Sequence, residues 1–158
     1  MELPLFEQVG ELARTLVSAE VGTLHFRSHR RGVKAWVVAR PGVDPTAPRL
    51  HYEAQVIPRR FVDEVAGAAL EIGFHAEDRD QSVNDAALDR LLAAERRWRD
   101  ELGDEAEAGP FLGRPDDWRR CSETWIEPDL DDDEAAFEIA SRLADYVNVL
   151  DPIVNPSS

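Results

Sequence analysis

Apolar side chains recur at three- and four-residue steps near the start of the chain: Leu5, Phe6, Val9, Leu12, Ala13, Leu16 and Val17. That spacing places them on one stripe of an α-helix, and the stripe needs a core to lie on. From residue 20 the period shortens to two. "EVGTLHFRSH" (20–29) alternates, "RRG" (30–32) is a tight connection, and "VKAWVVAR" (33–40) returns. "PGVDPTAP" (41–48) holds three prolines and a glycine and is predicted as a loop, after which "RLHYEAQVI" (49–57) alternates again. Together these runs predict a meander of three antiparallel strands.

Pro58 suits a first helical position, so "RRFVDEVAGAA" (59–69) is expected as a short helix with Phe61, Val62, Val65 and Ala66 inward. "LEIGFHAE" (70–77) alternates as a fourth strand. Ser82 followed by Asp85 resembles a capping box. It precedes a helix expected over 83–102, carrying Leu88, Leu91, Leu92, Trp98 and Leu102. Residues 103–118 are broken by Gly and Pro and read as a long loop, yet Phe111, Leu112 and Trp118 require it to pack somewhere. "RRCSETWIE" (119–127) is a candidate fifth strand. The last helix, about 133–150, is expected to bury Ala136, Phe137, Ala140, Leu143, Ala144, Val147 and Leu150, with a flexible tail from about 152.

The strands have one apolar and one polar edge, because side chains alternate across a strand. Leu24 and Phe26 oppose His25, Arg27 and His29; Leu50, Tyr52, Ala54 and Val56 oppose His51, Glu53 and Gln55; Leu70, Ile72, Phe74 and Ala76 oppose Glu71, His75 and Glu77. The second strand divides Val33, Ala35, Val37 and Ala39 from Lys34, Trp36, Val38 and Arg40. If the strands share one sheet, all four histidines fall on one face, and the amphipathic helices cover the other. The expectation is a single α+β domain over 1–158. It has two layers, a mainly antiparallel sheet of four to five strands and helices packed on one face.

Charge sharpens this picture. The formal net charge is −14: residues 1–60 carry nine Lys/Arg against six Asp/Glu, and residues 61–158 nine against twenty-six. Such a balance disfavours nucleic acid and anionic membranes as partners. No apolar run reaches the roughly 18 residues of a membrane span, and the acidic N-terminal stretch lacks the basic start of a secretory signal. A cytoplasmic protein is expected. Lys34 is the only lysine beside seventeen arginines. Arg27, Arg30, Arg31, Lys34, Arg40, Arg59 and Arg60 are expected to pair with the acidic second half.

The candidate chemistry lies on the polar sheet face. His25, Arg27, His51, Glu53, Gln55, His75 and Glu77 are the candidate ligand-binding residues. The leading expectation is a non-enzymatic module that binds a protein or small ligand through this face and the 103–118 loop. The alternative is a small metal-dependent or acid–base enzyme. Two His with carboxylates form an accepted ligand set for zinc or iron, which makes His51, Glu53, His75 and Glu77 the candidate divalent-metal ligands. No other cofactor is required by the sequence. A His beside a Glu can also be tuned for proton transfer near neutral pH. The chain carries no HExxH, nucleophile elbow or phosphate-binding loop. Cys121, alone in the chain, is expected to be structural. The Asp-rich 127–134 stretch is read as a helix cap, or more distantly as a decoy for a basic partner.

Overall fold

A computed structural model describes residues 3–38, 48–111 and 114–155. The chain runs α1 (Leu5–Leu16), β1 (Thr23–His29), β2 (Gly32–Val38), β3 (Leu50–Pro58), α2 (Arg60–Asp63), β4 (Ala68–Ala76), α3 (Gln81–Ala93), α4 (Glu95–Leu102), β5 (Glu107–Phe111), β6 (Arg114–Ile126) and α5 (Ala135–Val154). One sheet holds six strands in the order β1-β2-β3-β4-β6-β5. Every pairing is antiparallel. The fold is thus α+β with two layers, as expected, with one strand more than the upper expectation. Among the described residues no helix is long and apolar enough to cross a membrane.

The apolar strand edges set the core. Tyr52, Phe74 and Cys121 lie side by side on β3, β4 and β6, as do Ala54 and Ile72. They pack against Val9 and Ala13 of α1 and Ile139, Leu143, Val147 and Leu150 of α5. Asn148 of α5 ties the two helices together: its Oδ1 accepts from Ser18 N (2.8 Å) and its Nδ2 donates to Leu16 O (3.1 Å). Those bonds satisfy groups that a helix end leaves unpaired. Two acidic side chains, Glu123 and Asp151, are buried within this layer. Glu123 accepts from Tyr146 Oη (2.8 Å), Trp125 Nε1 (2.7 Å) and Arg142 Nε (2.9 Å). Burial pushes its carboxyl upward, but these bonds and the Arg142 charge outweigh that and hold it below the usual carboxylate range.

The structure departs from the sequence expectations at five places. Residues 59–67 form a strand-to-strand connection with a single four-residue helical turn, Ala68 and Ala69 already belong to β4, and Phe61 and Val65 are exposed. Pro58 ends β3 opposite Ala68 instead of starting a helix, and Glu64 (φ 61°) and Gly67 (φ 122°) turn the chain back. The 83–102 helix is two helices meeting at Ala94. The Trp98 indole bridges the break by donating to Leu91 O (2.7 Å), and Leu92 faces outward. Asp80, not Ser82, caps α3, accepting from Ser82 N at 3.0 Å. The 103–118 stretch contributes β5 and the start of β6. Pro110 is tolerated there because β5 is an edge strand that needs no donor on its outer side. Finally, Phe137 is exposed, and α5 continues to Val154 with Ile153 and Val154 buried. Ala39, Arg40, residues 41–47 and Leu112 lie outside the described residues.

Candidate metal centre

The opposite sheet face gathers the polar residues by register. Arg27, Lys34, Glu53, Gly73 and Ser122 are successive partners across β1, β2, β3, β4 and β6. The neighbouring row holds His51, His75 and Arg120, and the row on the other side holds Gln55, Glu71 and Thr124. His25 and His29 share this face through their pairing with Trp36 and Gly32. The face is not openly solvated at its centre: His51, Glu53, Glu71, His75, Arg120 and Ser122 are all buried. Phe111 of β5 packs edge-on against the His75 ring, 4.6 Å between centroids, and Trp118 packs on Phe111 at 5.6 Å. Phe111 and Trp118 of the 103–118 stretch thus pack, as expected of its aromatics, and they pack over this site.

Four side-chain atoms converge there in alternating order. His51 Nε2 is 2.9 Å from Glu53 Oε1, which is 3.7 Å from His75 Nδ1. His75 Nδ1 is 3.1 Å from Glu77 Oε2, which is 3.6 Å from His51 Nε2. One ligand atom from each of the four residues lies within 4.8 Å of every other. For an ion bound at about 2.0–2.1 Å, tetrahedral donors stand about 3.3 Å apart and adjacent octahedral donors about 3.0 Å. The observed edges of 2.9–3.7 Å span both values.

The far nitrogen of each ring is engaged as well. His51 Nδ1 lies 2.9 Å from the Pro48 carbonyl. A carbonyl only accepts, so Nδ1 carries a proton. His75 Nε2 sits 2.9 Å from both oxygens of Glu71. Glu71 in turn accepts from Ser122 Oγ (2.7 Å) and Gln55 Nε2 (2.8 Å), and Ser122 Oγ accepts from Arg120 Nη1 (2.8 Å). These outer partners fix the tautomers so that Nε2 of His51 and Nδ1 of His75 can both offer lone pairs to the cluster.

Without an ion, the same residues form a charged network. Burial acts to lower His75, but the carboxylates of Glu71, Glu53 and Glu77 overcome it and hold the imidazolium well above its ordinary range. His51 is raised in the same way by Glu53 and Glu77 against its burial. Burial acts to raise Glu53 and Glu77, yet hydrogen bonds from the two histidines dominate: Glu53 lies far below the usual range and Glu77 falls to about 2. Burial also acts to raise Glu71, but the His75 charge and its hydrogen bond, with help from Gln55 and Ser122, hold it below the usual range.

Of the seven candidate ligand-binding residues, the structure brings together His51, Glu53, His75 and Glu77, with Gln55 one bond removed through Glu71. His25 and Arg27 stand apart on the edge strand, where His25 stacks on Trp36 at 6.2 Å. The expected pairing of the arginines with the acidic half is seen only in part. Arg59 bonds Asp63 and lies 3.9 Å from Glu127, whereas Arg27, Arg30, Arg31 and Arg60 make no ion pair among the described residues. Cys121 is on the helix-covered face, and burial pushes its thiol up to about 12, so it is no nucleophile.

Sequence reasoning missed the supporting residues Glu71, Ser122, Arg120 and Phe111. The signal for Glu71 was present. Positions 71, 73, 75 and 77 share one strand face and read Glu, Gly, His, Glu. Strand rise puts residues four apart about 13 Å from each other. Glu71 and His75 meet only by leaning over position 73, where glycine has no side chain. Compared with known proteins, the chain matches no protein-family model, no curated protein and no solved structure.

Proposed function

We propose that the protein binds one divalent transition-metal ion through His51 Nε2, Glu53, His75 Nδ1 and Glu77, and that its function depends on that ion. The supporting observation is the alternating ring of two imidazole nitrogens and two carboxylate oxygens, with the outer nitrogen of each ring held by an acceptor. Metal-ligating histidines characteristically donate their second N–H to a carboxylate or carbonyl. Two nitrogen and two oxygen donors suit zinc, iron(II), cobalt(II) or manganese(II) better than calcium, which takes oxygen donors. An open docking surface is a weaker use of the same face, because His51, Glu53 and His75 at its centre are buried and Phe111 packs on the His75 ring.

The test is titration of chelator-treated protein with zinc, cobalt(II), manganese(II) and anaerobic iron(II), followed by calorimetry and thermal melting. One ion per chain is expected. At 100 times the dissociation constant, binding adds about 2.7 kcal/mol of stability. His51→Ala and His75→Ala should each abolish the shift. A melting temperature that none of the four metals moves would remove the proposal and leave a purely structural ion network.

A further inference from the structure

The two imidazoles and two carboxylates of the cluster are not equally placed with respect to solvent. The His51 and His75 side chains are 1% and 0% exposed, whereas those of Glu53 and Glu77 are 10% and 13% exposed. Anything reaching a bound ion from outside therefore comes from the carboxylate side. Lys34 stands on that side. Its Nζ is 3.9 Å from Glu53 Oε1, too long for a committed hydrogen bond, and its side chain is 36% exposed. Next to it, in register on the edge strand, is exposed Arg27.

The residue type is informative too. Seventeen of the eighteen cationic side chains are arginine, and the single lysine occupies this position. Arginine presents a broad planar fork, while lysine presents a compact point charge on a flexible stem. A compact charge on a flexible stem can meet a single carboxylate oxygen from the solvent side.

We infer that the ion of this centre takes a small carboxylate anion as a further ligand, and that Lys34 holds the anion's second oxygen. This rests on the metal reading above. A divalent ion with Glu53, Glu77 and two neutral imidazoles has no net charge in its coordination sphere; Glu71 is buried behind His75, away from solvent, so on the exposed side Lys34 and Arg27 are the charges a monoanion meets. An octahedral ion using the four protein donors keeps two positions free. A carboxylate bound there through one oxygen presents its other oxygen to a donor on the solvent side, where an ammonium makes a charge-assisted bond.

The experiment uses the full chain loaded with cobalt(II), whose visible absorption reports its ligands, titrated with acetate and with the neutral isostere acetamide. Acetate is expected to change the spectrum saturably and acetamide is not. In Lys34→Met, which keeps the stem and removes the charge, cobalt(II) should still bind, but the acetate dissociation constant should rise about tenfold or more. Lys34→Arg should retain part of the acetate affinity. A spectrum that acetate leaves unchanged, or one that responds equally to acetamide, overturns the inference while the metal centre stands. Equal acetate affinity in wild type and Lys34→Met also overturns it. Absence of cobalt(II) binding in wild type overturns the metal reading and this inference together.

Discussion

His51 and His75 are direct partners in the β3–β4 ladder, with ring centroids 5.8 Å apart and planes at 62°. The site is therefore built by one strand pairing, with each histidine bringing a glutamate two residues on, on the same strand face. Removing His75 strips Glu71, Glu53 and Glu77 of their shared cationic partner inside a buried site. Breaking a buried charge pair from one side typically costs about 3–5 kcal/mol. Metal-free His75→Ala is expected to lose stability in that range at pH 7, read from urea denaturation. A loss under about 1 kcal/mol, the scale of an exposed ion pair, would mean that the network is not charged as described.

Glu71 touches no other candidate metal ligand than His75, yet it fixes that ring through both of its oxygens. Glu71→Gln keeps the shape and one acceptor but loses the charge that makes the imidazole a stronger donor to an ion. Outer partners of this kind are typically worth about 10–100-fold in metal affinity. Competition against a chromophoric chelator should show that weakening with unchanged one-to-one stoichiometry. An affinity equal to wild type would assign Glu71 a packing role only.

Much of this arrangement was legible in the chain. Alternation at Leu50–Val56 and Leu70–Ala76 is period-two and local, so it correctly assigned which edge of each strand meets the helices. It also grouped the histidines on one face. The short connections predict the β1-β2-β3 meander that the sheet contains, but neither they nor the alternation place β4 beside β3, because that pairing depends on longer-range register. The adjacency of His51 and His75 thus emerged only from the fold. β5 escaped notice because Gly109 and Pro110 punctuate like a loop, and an edge strand tolerates both. Helical spacing puts Phe61, Val65 and Phe137 inward, but residues 59–67 make only one helical turn and all three side chains are at the surface.

Gly73 lies at the crossing of the two requirements of this face. Its φ of +154° is one that side-chain-bearing residues rarely adopt, and an added Cβ would sit 2.4 Å from Cys121 O and 2.5 Å from Ser122 Cα. Both obstacles are β6 backbone, which cannot swing away. A side chain there would also stand between Glu71 and His75. Gly73→Ala is expected to cost roughly 2–4 kcal/mol from backbone strain and overpacking together. The urea midpoint should fall accordingly, and metal affinity should fall with it in whatever fraction still folds. A variant as stable as wild type would show that the strand shifts freely at this point.

Asp151 offers a gain instead of a loss. It is 7% exposed on α5 and accepts from Tyr52 Oη at 3.1 Å and Asn155 Nδ2 at 3.2 Å, both on Oδ1. No ion pair reaches it among the described residues. Burial pushes its carboxyl above the usual range, and the two hydrogen bonds oppose that without cancelling it. A carboxyl raised in the folded state binds its proton more tightly there than in the unfolded chain. Its favourable contribution is complete below the unfolded value of about 3.9. That contribution is lost as pH rises through the folded value, beyond which the fold carries a buried, unpaired charge. Asp151→Asn keeps an acceptor for Tyr52 and removes the charge. Its melting temperature should exceed that of wild type at pH 7–8, by about 2–4 °C for each kcal/mol regained in a chain of this size. The advantage should shrink as pH is lowered toward 4, because the raised carboxyl of wild-type Asp151 takes up its proton in the fold before an ordinary Asp would. Calorimetric scans of both proteins between pH 4 and 8 give the comparison; an advantage that stays constant across that range would mean that burial of the charge is not its cause.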